Sequence, residues 1–360
     1  MCVFYLIILA ACLVLNSLPR NSIFRVQNSF FFASTFIILL VISALRTDIG
    51  TDYVNYVRLY NDIIHDSFVN SNVEVGFYLV VTLSNYISKE PQLMFMIMSL
   101  ITLTALFSTK KMRGFLGVFG VICVMYLPSF SLIRQTAAVA FVLCAILSLI
   151  EGNKKQFLLY IGIGSCFHLS ALIILPFILL KRINLNPYLG LIILVCFYFL
   201  VVKVNVAELI LGNPLFRNTK YGVYSDFTMF NQPTEMGSGL GVILKIIPSV
   251  IYLLCTVCFK NNNCNRDEIN IISYLNYCYV IAVMLSVQIH IFNRLVDLFM
   301  FVPVITLLYI GQLSEKNKTI LRTMLIIVLM INFTLMIFKN PSSNEGGLGI
   351  YPYKTILSVG

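Results

Sequence analysis

Three arginines mark the places where this chain could do chemistry. Arg46 opens the run Arg46-Thr47-Asp48-Ile49-Gly50-Thr51-Asp52-Tyr53, with Tyr56 close behind. Arg134 and Gln135 stand at the head of an apolar stretch, and Arg294 follows His290 and Asn293. Each lies against a hydrophobic segment, where an ionisable side chain is costly and so is a functional candidate. Snorkelling at the interface explains one such arginine. Three on the outer side run against the tendency of basic residues to stay inside. A guanidinium is a rigid fork of donors that matches phosphate oxygens two at a time, so several of them around an outer cavity suit a lipid diphosphate. When a sugar leaves such a carrier, negative charge grows on the diphosphate, and cations already in place stabilise it.

An acceptor hydroxyl also needs a base, and the groups available are His168, Asp52 and Asp48. Asp52 reads equally well as an ion-pair partner of Arg46. His168, in an apolar segment, reads more readily as a satisfied buried histidine than as a base. Glu74, in Glu74-Val75-Gly76-Phe77-Tyr78, could contact a sugar or mark the membrane interface. Tyr53, Tyr56, Tyr78 and Tyr353 could stack on sugar faces or form the interfacial aromatic belt.

The elements that must position these groups are read from composition. Of 360 residues, 59% are hydrophobic and 11% charged, against about 45–50% and 25% in soluble domains. A spanning helix needs about 20 apolar residues, so the chain has room for roughly ten. No long polar stretch is present, which implies a single membrane domain over residues 1–360. The net charge of +10 reflects basic residues kept in cytoplasmic loops. No basic helix interleaved with aromatics points to nucleic acid. The ten cysteines lie mostly in apolar runs. The C-x-x-C of Cys255 and Cys258, with Cys264 nearby, lacks the second pair of a structural zinc site. No metal or other cofactor is expected. Phosphate-loop, zinc-protease and serine-hydrolase motifs are absent from the sequence.

Hydropathy places spans near 1–18, 28–45, 92–109, 115–128, 132–150, 187–207, 241–259, 269–289, 295–313 and 320–338. The first lacks a basic leader and reads as a permanent anchor. The clusters Arg20/Arg25, Lys110/Lys111/Arg113, Lys154/Lys155, Lys181/Arg182, Lys260/Arg266 and Lys316/Lys318/Arg322 then fall on the cytoplasmic side, with both termini outside. Two stretches resist a simple path. Residues 74–108 hold two apolar runs broken by Lys89-Glu90-Pro91, the first lying along or dipping into the interface and the second crossing. Residues 156–180 have basic clusters at both ends and must cross an even number of times, as a broken or re-entrant pair with His168 near its middle. Such breaks are tolerated where they line a cavity. The outer loops are then 46–73, 129–134, 208–240, 290–294 and the tail after 339. The expected fold is an all-α, polytopic transmembrane bundle of about 10–12 helices.

Six short segments in this order resemble the EpsG/Wzy family of polysaccharide polymerases: R-T-D-I-G-T-D-Y-x-x-Y at 46–56, E-V-G-F-Y at 74–78, I-R-Q-T-A-A at 133–138, F-H-L-S-A-L at 167–172, F-N-R-L-V-D-L-F at 292–299 and Y-P-Y-K-T-I at 351–356. The resemblance implies a GT-C-like, metal-independent glycosyltransferase of the bacterial inner membrane. It would join undecaprenyl-diphosphate-linked oligosaccharide repeat units at the periplasmic face, with a Wzz-type chain-length regulator as partner. By motif position it implies catalytic roles for Asp52, His168 and Arg134. It likewise implies substrate binding by Arg46, Gln135 and Arg294, to which the residues themselves add Asp48, Tyr53, Glu74 and Tyr353 as substrate-binding candidates. Two other readings compete. A flippase for the lipid-linked oligosaccharide should carry charge deep in both halves and show repeat symmetry. A membrane acyltransferase should expose His168 to a cytoplasmic thioester.

Overall fold

The computed structural model describes residues 3–17, 25–65, 73–204, 239–259, 265–339 and 348–358, with single positions at 209, 213 and 214. Most of the expected outer loop 208–240, together with Arg20, Lys260, Cys264 and the side chain of Arg25, lies outside the described residues. Among the described residues the chain is helical. The first helices are α1 (Val3–Ser17), α2 (Arg25–Leu45), α3 (Tyr53–Ile64), α4 (Val75–Ile87), α5 (Gln92–Leu106), α6 (Phe115–Val121), α7 (Ile133–Ile150) and α8 (Lys154–Ser165). They are followed by α9 (Phe177–Leu180), α10 (Pro187–Lys203), α11 (Leu240–Cys258), α12 (Arg266–Gln288), α13 (Asn293–Leu298), α14 (Val302–Leu313) and α15 (Lys318–Lys339). The one extended pairing among the described residues is an isolated antiparallel bridge between Arg46 and Thr355. This is the all-α polytopic bundle that composition implies.

Among the described residues four helices are long and apolar enough to cross a membrane alone: α7, α11, α12 and α15. The stretch read as one straight span over 295–313 is instead a pair, His290–Leu298 and Val302–Leu313, bent by 46°. Pro303 near the start of α14 has no amide hydrogen to donate to Phe299, and its ring crowds that carbonyl, which ends the preceding helix. Shorter apolar helices account for the rest, including Val3–Ser17, Phe30–Leu45, Gln92–Leu106 and Pro187–Lys203. Lys89-Glu90-Pro91 separates α4 from α5, with Pro91 as the cap of α5. The 13 residues of α4 reach about 20 Å, short of the roughly 30 Å hydrocarbon core. The 156–180 stretch is broken as its charge pattern requires. α8 stops at Ser165, and after Cys166–His168 the chain resumes as a 3-10 turn, Leu169–Ile174.

The chain forms two compact units, residues 1–175 with 329–360, and residues 176–328. The centre of the first is α7, whose every residue except Arg134 and Phe141 is buried. A helix apolar on all sides belongs inside a bundle. Its alanines let α8 come close: a Cβ on Gly164 would lie 3.2 Å from the carbonyl oxygen of Ala138. This is the small-residue packing that replaces the hydrophobic effect in lipid. Asn16 of α1 donates to Thr35 of α2 at 2.8 Å, a polar clasp between two otherwise apolar helices. In the second unit, α12 packs against α10, α11 and α14, and Thr306 donates to the buried Asn276 at 2.9 Å. The last helix, α15, buries Leu321, Leu325, Leu329, Phe333 and Ile337 at four-residue spacing and exposes Ile320, Ile327 and Ile331. One face is therefore packed, and the other is left for lipid.

Candidate active site

Within the first unit, segments far apart in sequence meet at one end of the bundle. The turn after α2 carries Arg46 to Asp52, and the turn before α7 carries Phe130 and Ser131. The two are joined by the amide of Thr51, which donates to Ser131 Oγ at 3.1 Å. Onto both lies the tail 348–355. Thr47 N donates to Lys354 O at 3.0 Å and Gly50 N to Gly349 O at 2.9 Å. Ser131 Oγ donates to Leu348 O at 3.0 Å. Tyr5 at the head of α1 donates to Ile350 O at 2.7 Å, and Tyr353 donates to Ile42 O at 2.8 Å while stacking on Phe4. Lys354 pairs with Asp48 at 2.9 Å. Segments assigned by charge to the outer side thus lie together. Deleting residues 348–360 is expected to cost about 3 kcal/mol, since six such bonds at about 0.5–1.5 kcal/mol each are partly offset by the freed tail. Asp48→Asn, which removes only an exposed pair, should cost under about 1 kcal/mol. Thermal unfolding in detergent ranks the two, and equal losses would mean the strap contributes little beyond its charge.

Arg134 begins the second feature. It lies on the first turn of α7, and its Nη1 donates to Glu74 Oε2 at 2.9 Å, with the two side chains 26% and 10% exposed. The guanidinium lies over the rings of Tyr56 and Phe77, at 6.0 and 5.6 Å, as cation–π attraction favours. Its backbone amide donates to the Tyr56 hydroxyl at 3.5 Å, and its Nε is buried without a partner. Asp52, half-buried at the start of α3, accepts from Asn55 at 3.4 Å. Burial pushes the Tyr56 phenol up, Arg134 pulls it down, and Asp52 pushes it up again, so acid, phenol and guanidinium share one electrostatic neighbourhood. The positive end of α7 adds to the anion affinity of this corner.

The break at 166–168 is held against the same corner. The amide of Gly76 donates to Cys166 O at 2.7 Å, and a Cβ on Gly76 would overlap Cys166. Phe167 stacks on Phe141 of α7, 5.9 Å between centroids. His168 caps the 3-10 turn, its Nδ1 accepting from the amide of Ser170 at 3.3 Å and lying 2.7 Å from Ser170 Oγ. His168→Ala is expected to lose about 1 kcal/mol of stability, and His168→Asn, which keeps a capping acceptor, much less. Denaturant titration of the two variants checks this, and equal losses would remove the capping role.

The remaining sequence candidates separate. Arg46 is 1% exposed. It donates to Ser43 O at 2.6 Å and Phe130 O at 3.4 Å, and it lies between the rings of Phe95 and Phe130. It does not pair with Asp52, so the ion-pair reading of that acid is not what the fold contains: carbonyls and aromatic faces take the place of the carboxylate. Burial lowers the Arg46 guanidinium to about 10, with nearby tyrosines opposing, so it stays charged at neutral pH. Tyr53 stacks on Phe95 at 4.6 Å. Gln135 is buried. Arg294 belongs to the second unit, exposed on α13. Phe77 and the Arg46 cage of Phe95, Phe130 and Ser99 were missed as site residues. Phe77 had a signal in the sequence, standing three residues after Glu74 where one helical turn brings them together. Among the described residues no cluster of three or more His, Cys, Asp or Glu forms a metal site.

An all-helical bundle of apolar spans, with a charged and aromatic corner at the end of its most buried helix, defines a multi-pass membrane protein. The chain belongs to the EpsG family, which it matches over residues 29–355. The match takes in the first five motif segments and all but the last residue of the sixth, and it places the chain among membrane proteins of polysaccharide-polymerase type. Neither a curated protein nor a solved structure matches it.

Proposed function

We propose that this protein is a glycosyltransferase that joins undecaprenyl-diphosphate-linked oligosaccharide repeat units at the outer face of a bacterial cytoplasmic membrane. The observation that carries the reading is Arg134. Its guanidinium stands at the positive end of α7, faced by two aromatic rings, with a buried Nε still unpartnered. Its fork binds the diphosphate, helped by the positive end of the α7 dipole. Tyr56 and Phe77 present ring faces beside it.

In the transfer, the bond from the anomeric carbon to the diphosphate oxygen breaks. A new bond forms from that carbon to the hydroxyl of the incoming lipid-linked unit, whose proton passes to a base. Among the three candidates, Asp48 is engaged by Lys354 and the Nδ1 of His168 is engaged as a cap. Asp52 keeps open lone pairs, so it takes the proton. A Wzz-type regulator is the partner this reaction calls for.

The test is deletion in the native host, with rescue by wild-type or Arg134→Ala protein and the surface glycan resolved on a gel. Polymerase function predicts single repeat units in the deletion and no ladder with Arg134→Ala at normal membrane level. Repeat units held on the cytoplasmic leaflet would make translocation the better account. A normal ladder in the deletion would remove both readings.

A further inference from the structure

Arg134, the cation on which the proposed transfer relies, already holds a carboxylate. Its Nη1 donates to Glu74 Oε2 at 2.9 Å. Glu74 stands at the cap of α4, yet its side chain makes no bond to the amides of its own helix. Those amides are taken: Gly76 N donates to Cys166 O at 2.7 Å, and Phe77 N and Tyr78 N both donate to the Glu74 backbone carbonyl at 3.1 Å. The backbone under the acid is therefore pinned, and only the side chain can part from Arg134. When it does, the positive end of α4 still favours its charge. The guanidinium does not need the acid to keep its place, because the rings of Tyr56 and Phe77 lie 6.0 and 5.6 Å away.

A cation site for a leaving diphosphate has a release problem. Breaking the bond to the anomeric carbon leaves its electron pair on the diphosphate oxygen, so the carrier departs with more negative charge than it brought. A guanidinium suited to that charge holds the product more tightly than the substrate. A carboxylate beside it opposes this, since like charges a few ångströms apart repel. The repulsion grows with the charge on the diphosphate, so it acts most strongly on the product.

We propose that Glu74 is a positioning residue for product release, a displaceable carboxylate that yields Arg134 to the lipid diphosphate during transfer and reclaims it once the sugar has left. This rests on the assignment of Arg134 to the diphosphate. Glu74 acts through Arg134 and needs no contact with the sugar.

The experiment uses the purified full chain in detergent, with farnesyl diphosphate as the product probe. Glu74→Gln keeps an oxygen for Arg134 Nη1 and removes the charge. It is expected to bind farnesyl diphosphate about tenfold more tightly than wild type, whereas Glu74→Asp, which keeps the charge, should stay within about threefold of it. On a lipid-linked repeat unit, Glu74→Gln should give a first-turnover burst as fast as wild type, then a steady rate about tenfold lower, as slow release dictates. Damaged packing would weaken binding in both variants, while lost repulsion strengthens it in Glu74→Gln alone. Equal or weaker binding by Glu74→Gln, with Arg134→Ala abolishing binding, would overturn the release role and leave the assignment of Arg134 standing. Binding undiminished in Arg134→Ala would overturn that assignment, and the release role with it.

Discussion

Arg134→Ala is expected to lower repeat-unit transfer about 10²–10³-fold, the usual cost of removing one donor aimed at developing charge, while the protein still inserts at normal level. The structural cost is smaller. Glu74 loses the Nη1 bond at 2.9 Å but retains some exposure to water, so the fold should lose about 1–2 kcal/mol. Arg134→Lys separates charge from geometry. Lysine keeps the positive charge that satisfies Glu74, yet it lacks the planar fork and stacks poorly over Tyr56 and Phe77. Stability should therefore return nearly to wild type, whereas turnover should recover no more than about a tenth. Ladder length in cells, turnover on a lipid-linked repeat unit in detergent and unfolding temperature together read the two effects. A full ladder from Arg134→Ala at equal membrane level would dismiss Arg134 from the reaction. If Arg134→Lys restored turnover and stability in parallel, its role would be structural.

The helical architecture was legible because lipid leaves few choices. Backbone groups must be satisfied within each segment, so runs of apolar residues become helices. Charge parity then forced a break in 156–180, which the fold makes at Cys166–His168. What periodicity could not reveal is what closes over a residue. Arg46 and Arg134 look alike in sequence, each an arginine at the end of an apolar run. Only packing distinguishes them, because Phe95, Phe130 and Ser43 come from separate segments to enclose the first, while Glu74 and two rings leave the second partly open. The pairing of Asp48 with Lys354, 306 positions apart, and the bend that Pro303 imposes on 290–313 are likewise tertiary events. The motif tail could be placed beside the 46–56 loop only once the chain was folded.

Gly50→Ala should be the most damaging small substitution in the loop that frames this site, costing about 3–4 kcal/mol. Gly50 has φ +102, a backbone state closed to residues with a side chain, and that strain alone is worth about 1–3 kcal/mol. The added methyl would also overlap the carbonyl oxygen of Phe130 and come within 2.7 Å of its carbon. That carbonyl cannot easily retreat. It accepts from Arg46 Nη2 at 3.4 Å, and the neighbouring Ser131 hydroxyl ties the loop to the tail at Leu348. Pushing it away would loosen the Arg46 cage and the strap together. Gly152 supplies the control. It has φ +85, yet a methyl there would meet nothing within 4 Å, so Gly152→Ala carries backbone strain without overlap and should cost about 1 kcal/mol. The difference between the two variants in denaturant titration isolates the steric part. Equal losses would mean that the turn at Phe130 yields freely, and that the 46–52 loop is not held in register by its contact with the start of α7.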